Sequence, residues 1–445
     1  MQKIALISEH ASPLAAIGGV DAGGQNIYVA NVAKQLVSRG YRVDVFTRRD
    51  NTSLPDIVPV GHNIRVIHVP AGPPCEVPKE QLLPFMPAFA EFMVRHCAQT
   101  SPGYDVLHAN FFMSGQVGLR VRQVLDIPLV VTFHALGHVR RRCQGASDTF
   151  PDERIDIENA LVQTADAIIA ECPQDEADLV TLYGADPQRI EIVPCGFDAS
   201  EFHPVARATA RAALGWQADE FSILQLGRLV PRKGIDNVIR AVSLLVREVA
   251  CGRRVKLHIV GGPDYEVNLE RCEALAKLAA LADELGVADH VDFVGRRDRE
   301  ALRYFYSAAD VFVTTPWYEP FGITPVEAMA CATPVIGSDV GGIRTTVVDA
   351  QTGFLVPPNA PDALAGRLAQ LRDNRCLAHR LGLAGAQRAN RHFTWSGVAD
   401  QLCAVYARVL NPQRNPANIV TLSAVRTMTV RPAVPVSAVL KESVR

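Results

Sequence analysis

A chain of 445 residues has room for two or three domains with large cores. Hydrophobic residues make up 48% and charged residues 21%, the balance of a soluble globular enzyme. A formal net charge of −2 argues against a nucleic-acid binder that works through a broad basic field. The ten cysteines are scattered, without a C-x-x-C or a close Cys/His cluster, which favours reduced thiols over disulfides or structural zinc. A strand is expected to begin at Lys3, so no signal peptide is expected, and no uninterrupted apolar run approaches a membrane span. A cytoplasmic protein is expected.

Strands are expected at residues 4–7, 42–46, 66–69, 106–108, 129–133, 167–170 and 190–193, with helical stretches between most of them, the first at 27–38. The pattern restarts at 221–226, 256–260, 290–294, 311–313 and 335–337. Such alternation predicts α/β architecture: parallel sheets covered by helices, here in two doubly wound, Rossmann-like domains with a cleft between the carboxyl ends of their strands. The expected division is 1–200, 201–392, a helix within 393–411, and a mobile tail at 412–445 that carries Pro412, Pro416, Pro432 and Pro435.

Four stretches could carry chemistry. The first is the glycine loop GGVDAGGQN at 18–26, whose glycines permit close backbone approach to a ligand. Its spacing fails G-x-G-x-x-G, and it begins too far past the first strand for a tight strand-to-helix turn, so a dehydrogenase is not expected. The second is TFHALGHVRRR at 132–142, which places His134 directly after a strand; His108 and His138 suit packing better. The run Arg140, Arg141 and Arg142 is either a solvated face or a set of cations beside the site.

The third stretch is GRLVPRKG at 227–234, with Arg228 and Lys233 on a loop at a strand's carboxyl end, where cations can converge on a phosphate; Arg232 is expected to face solvent. The fourth, EPFGITPVE at 319–327, puts Glu319 before a turn and Glu327 inside the next helix. Thr324 is the expected N-cap and Pro325 the first helical residue. T-P-V-E also has capping-box spacing, so Glu327 either closes the helix start or faces a ligand. No D-x-D and no H-E-x-x-H occurs, so no metal clamp is expected.

The fourth stretch, followed by ACATPVIGSDVGG at 330–342, resembles the donor site of the retaining family 4 (group 1) glycosyltransferases of GT-B fold. Across the first domain, SPLA at 12–15, DAGGQNIYV at 21–29 and FMSGQVG at 112–118 resemble the inositol-phosphate and sucrose-phosphate branches of that family. The resemblance implies a cleft between two facing domains, the first holding the acceptor and the second the nucleotide-sugar, with a UDP-sugar the favoured donor. It assigns His134, Arg228, Lys233 and Glu319 to catalysis. Gly24, Phe321, Gly322, Ile323 and Glu327 join the last three in holding the donor, Glu327 on the ribose hydroxyls. Asn26, Lys79, Phe111 and Arg154 fall on the acceptor side. Where the family's inositol-phosphate branch carries a Tyr and a Thr against the phosphate, this chain has Phe111 and Ala135.

The same resemblance implies sugar transfer to a small polyol, sugar or sugar phosphate, without a tightly bound cofactor or a metal in the chemistry. Rival readings are a nucleotide-sugar epimerase and a lipid-acceptor transferase of the same fold. The latter leans only on the apolar stretch at 82–89, which prolines interrupt. Small-molecule partners are expected, without nucleic acid or integral membrane contact, and a homodimer is the candidate assembly.

Overall fold

The computed structural model describes residues 1–14, 23–247 and 254–411. The expected tail at 412–445 and Gly18, Gly19 and Asp21 of the glycine loop lie outside the described residues.

The first sheet is built from β1 (Lys3–Ile7), β2 (Arg42–Arg48), β3 (Ile57–Pro59), β4 (Ile64–Val69), β5 (Val106–Asn110), β6 (Leu129–Thr132), β7 (Ala167–Ala170) and β8 (Ile190–Ile192). The second contains β9 (Phe221–Leu226), β10 (Val255–Val260), β11 (Val291–Gly295), β12 (Val311–Thr314), β13 (Val335–Ser338) and β14 (Gly353–Val356). Their orders are β3-β4-β2-β1-β5-β6-β7-β8 and β11-β10-β9-β12-β13-β14. Every pairing is parallel except the short β3 against β4. All residues of β1 and β9 are buried, as expected of strands covered by helices on both faces, and this is why KIALI and FSILQL read as near-continuous apolar runs. Two elements were not expected. β3 contains a proline and runs along an edge, and β14 is a four-residue GFLV run without alternation.

Strand order reverses between β1 and β5 in the first sheet and between β9 and β12 in the second. Loops leaving these four strands therefore diverge and leave a crevice, the position where open α/β sheets hold ligands. The described pieces of the glycine loop follow β1, Phe111 follows β5, GRLVPRKG follows β9 and EPFG follows β12.

The last helix, Trp395–Leu410, crosses back to the first domain. It lies along the helix Gly24–Ser38, with Trp395 edge-on to Tyr28 at 5.8 Å and Arg39 Nε 2.7 Å from Asp400 Oδ1. Its Tyr406 hydroxyl lies 2.6 Å from His108 Nδ1, and Thr132 Oγ1 lies 2.9 Å from Nε2 of the same ring. Burial, reinforced by nearby His134, pushes His108 down to about 3, so this ring is a neutral structural bridge.

Candidate active site

The second domain supplies a carboxylate ringed by cations. Lys233, at the end of a short 3-10 turn Pro231–Lys233, is paired with Glu319 Oε2, and Arg232 Nη1 approaches the same oxygen at 3.6 Å. Both side chains of the pair are largely covered, Lys233 16% exposed and Glu319 13%. Burial alone would raise Glu319, but Lys233, Arg232 and Arg228 together outweigh it and hold the carboxyl below its ordinary range. Burial also lowers Lys233, partly opposed by Glu319. The expectation that Arg232 faces solvent is corrected: its guanidinium lies over the Tyr318 ring at 5.2 Å, beside Glu319.

The turn that carries Glu319 is held by backbone contact. Gly341 adopts φ +45°, and a Cβ there would lie 2.1 Å from the Glu319 carbonyl oxygen, so a side chain cannot be accommodated without moving the turn. Gly342 N donates to that carbonyl at 3.0 Å. Gly322, at φ +90°, is the N-cap of the helix Ile323–Ala330. This corrects the expected Thr324 cap. Thr324 and Pro325 are inside the first turn, and Glu327 closes no capping box. Glu327 is buried and receives Arg299 Nη1 at 2.9 Å and the Tyr306 hydroxyl at 3.1 Å. Burial raises its carboxyl against the opposing pull of Arg299 and Tyr306. Phe321, expected to touch the donor, is buried and turns its ring towards Phe393 at 5.8 Å.

The two domains meet at these loops. A Cβ on Gly24 would lie 3.5 Å from Ile323 Cδ1, and one on Gly23 would lie 3.9 Å from the Arg228 guanidinium carbon. Gln144 Nε2 donates to the Tyr318 hydroxyl at 2.5 Å, and the Cys172 thiol lies 3.4 Å from the Pro320 carbonyl oxygen. Gly24, Arg228, Lys233, Glu319, Gly322 and Ile323 thus gather in one cleft.

On the first-domain wall, His134 has φ +57° and is fastened on both sides. Its Nδ1 is 2.7 Å from Glu171 Oε1 and its Nε2 is 3.1 Å from Asn110 Oδ1. Asn26, expected to face the acceptor, ties its own loop, accepting from Gly23 N and donating to Ser12 O, both at 2.9 Å. Phe111, at φ +86°, is buried beside Arg154, whose guanidinium carbon lies 5.0, 4.8 and 4.7 Å from the rings of Phe111, Phe112 and Phe150. Arg154 itself is 1% exposed. Its Nε donates to Glu158 at 2.7 Å and its Nη2 to the Ala135 carbonyl at 2.5 Å, while Nη1 has no partner among the described residues. Lys79 is half-buried on a short 3-10 turn Lys79–Gln81.

The arginine run divides. Arg140 bonds Asp148 at 2.6 Å and Arg141 bonds Asp152 at 2.7 Å, whereas Arg142 is exposed. Two of the three cations are therefore already neutralised.

Sequence reasoning missed His10, Glu171 and Arg299. His10 lies edge-on to Phe111 at 5.1 Å, with its Nδ1 2.7 Å from the buried Glu9 carboxylate. Its only sequence signal was a position just past β1 at the switch point. Among the described residues, no group of three or more His, Cys, Asp or Glu side chains is arranged to hold a metal ion.

Next to Glu171 lies a second carboxyl with a testable consequence. Burial, reinforced by Glu171, pushes Asp175 up to about 8. A carboxyl raised above its unfolded value stabilises fully at pH below the unfolded range, and that contribution is lost as pH rises towards 8. The loss is less than the limiting value of about 1.4 kcal/mol per pH unit, because the side chain keeps some contact with water. Asp175→Asn, which still accepts from Glu171 N, is expected to raise Tm increasingly between pH 5 and about 8 and to leave it unchanged near pH 4. A Tm difference that does not vary with pH would contradict the assignment.

The family described as Glycosyltransferase Family 4 matches residues 22–201, and that described as Glycosyl transferases group 1 matches residues 206–388. The chain is 38% identical over 414 residues to a D-inositol 3-phosphate glycosyltransferase of Thermomonospora curvata, spanning 91% of this chain and 95% of that protein. A protein of the same description from Geodermatophilus obscurus is 38% identical over 408 residues, spanning 91% and 89%. Among solved structures, a sucrose-phosphate synthase from Thermosynechococcus elongatus superposes with a TM-score of 0.84 at 36% identity, covering 93% of this chain and all of that one (100%). HepE of Anabaena in complex with UDP shares the fold, with a TM-score of 0.70 at 19% identity over 92% of this chain and 100% of that one.

Proposed function

Because the chain belongs to the group 1, family 4 glycosyltransferases and has their GT-B fold, we propose that it moves a sugar from a UDP-sugar to a hydroxyl of a phosphorylated sugar or polyol, with retention at the anomeric carbon. The observation that carries this reading is the cluster of Arg228, Arg232 and Lys233 around Glu319, with Arg228 facing Gly23 across the cleft. A departing diphosphate gains negative charge as its bond to the sugar breaks. Fixed cations in a covered site favour that state over the ground state, since they need no reorganisation as the charge develops.

In this reading the second domain holds the donor. Lys233 and Arg228 take the diphosphate, Glu319 lies against the sugar ring, and Glu327, its two oxygens oriented by Arg299 and Tyr306, accepts from the ribose hydroxyls. The first domain holds the acceptor against Phe111, Arg154 and Lys79, with His134 at the reacting centre. The acceptor hydroxyl attacks the face the diphosphate leaves, its oxygen bonds the anomeric carbon, and the leaving phosphate oxygen takes its proton. The residues present need no metal for charge neutralisation, and the reaction belongs in the aqueous cytoplasm.

Relatives named for inositol 3-phosphate point to one acceptor, but two positions on this wall argue for another. Phe111 and Ala135 carry no hydroxyl, and each hydroxyl donor to a phosphate is worth about 1.5–3 kcal/mol. The orphaned Nη1 of Arg154 still suits an anionic group, so a phosphorylated acceptor of different shape is favoured. The test is a transfer assay in EDTA, crossing UDP-, GDP- and ADP-sugars with sugar and polyol phosphates, with the anomer read by NMR. Transfer from UDP-sugars with retention to a phosphorylated acceptor is expected. Efficient transfer of N-acetylglucosamine to inositol 3-phosphate would overturn the acceptor argument. Release of epimerised nucleotide-sugar without acceptor would favour the epimerase reading.

A further inference from the structure

His134 is held by a carboxylate that nothing in the donor or acceptor assignment uses. Glu171 follows β7 directly, is 3% exposed, and accepts from His134 Nδ1 at 2.7 Å. The Cys195 thiol shares the same oxygen at 3.1 Å. On the other edge of the ring, Asn110 Oδ1 faces Nε2 at 3.1 Å. The orientation of that amide is set by its own nitrogen, which points at the carbonyl oxygens of Ile7 and His108, both at 3.3 Å. With an oxygen acceptor on each side, the ring satisfies both only by donating from both nitrogens.

The remaining titratable groups around the ring are neutral near pH 7. Burial holds the Tyr28 phenol, packed edge-on at 4.8 Å, well above its ordinary value, and does the same for the thiols of Cys172 and Cys195. His108 is pushed down to about 3 and Asp175 up to about 8. Glu171 is therefore the counter-charge to a doubly protonated His134. Its neighbour in the chain, Cys172, reaches across the cleft to the Pro320 carbonyl, one residue beyond Glu319.

We infer that Glu171 is a positioning residue for sugar transfer, holding His134 in one orientation with a proton on each ring nitrogen at the edge of the donor-sugar site. This rests on the reading that His134 lines the reacting centre. A fixed imidazolium there adds to the cations that favour the departing diphosphate and cannot act as a base while both nitrogens carry hydrogen.

The test uses the full chain and Glu171→Gln, which keeps the shape and an acceptor oxygen but removes the charge. NMR of the substrate-free protein, assigned with His134→Gln, is expected to show two downfield ring N–H signals for His134, with the Nδ1–H signal shifted or lost in Glu171→Gln. In steady-state assays, kcat at pH 8 should fall roughly 10- to 100-fold, the scale of removing a partner that orients a working side chain. Glu171→Asp should recover part of the lost rate.

A single ring N–H signal in the unaltered protein would overturn the inference. So would an unchanged kcat in Glu171→Gln, or a loss of activity with a lowered Tm and an unshifted Nδ1–H signal, which marks a merely structural role. Full activity of His134→Gln would sink the placement of His134, and with it the part of Glu171 in transfer, while leaving the ring pair intact as an NMR observation.

Discussion

Lys233→Ala is expected to lower kcat/KM by about 2–4 kcal/mol, the range for losing one charge-stabilising contact made in a transition state. The loss should fall mainly on kcat, because the ammonium is worth most when charge has collected on the leaving diphosphate. In the free protein Lys233 is one of three cations near Glu319, and Arg232 remains 3.6 Å from that carboxylate after the substitution. Glu319 is therefore not stranded, and Tm should hardly change. Lys233→Arg should recover part of the rate. Wild-type kcat/KM in Lys233→Ala would remove the diphosphate from this loop.

Arg299→Ala is expected to have the largest effect on stability, about 3–5 kcal/mol near neutral pH, the cost of leaving a buried charge without its partner. Glu327 is 2% exposed, and the Tyr306 hydroxyl alone would remain to bond it. The sign of the pH dependence is set by burial, which already raises Glu327 above its ordinary value while Arg299 pulls it down. A carboxyl raised in the folded state contributes stability at low pH and loses it as pH rises through the folded value. Without Arg299 only the Tyr306 hydroxyl opposes the raising influence, so the deficit should be larger at pH 8 than at pH 5. Adding Glu327→Gln should restore most of the stability without restoring donor binding. Urea titrations at both pH values, with calorimetric UDP binding, read both quantities. A deficit below about 1 kcal/mol at pH 8, typical of an exposed pair, would show that Glu327 is not a buried charge.

Most of the framework was legible in the sequence because strands covered on both faces leave long apolar runs, as in FSILQL and LVVT. The loops at the switch points could be located for the same reason, since each comes directly after such a run. What was not legible depends on contacts distant in sequence. Arg299 lies 28 positions from Glu327, and Glu171 37 from His134, with nothing local to mark either pairing. Thr324 was the better N-cap by residue type. Gly322 takes the place because the turn before it is pressed against Gly341 and Gly342, an approach that no helix propensity encodes. Arg232 and Asn26 show two ways in which local sequence leaves partners unseen. A basic residue on a loop reads as solvated until a carboxylate is found beside it, and nothing in a glycine loop's sequence tells that its amide side chain also ties the loop's own backbone.

The crossing of the helix Trp395–Leu410 onto the first domain bears on how the protein is made. The His108 ring and the Tyr406 hydroxyl that caps it are 298 positions apart in the chain. At ribosomal rates of about 5–20 residues per second, roughly 15–60 s separate the synthesis of the two. Once β8 has been made, the sheet of the first domain still stands without its closing helix, with Tyr28 lacking its Trp395 contact and Nδ1 of His108 lacking its partner. The nascent chain thus presents one long-lived sticky face, and the first domain to be synthesised is the last to be finished.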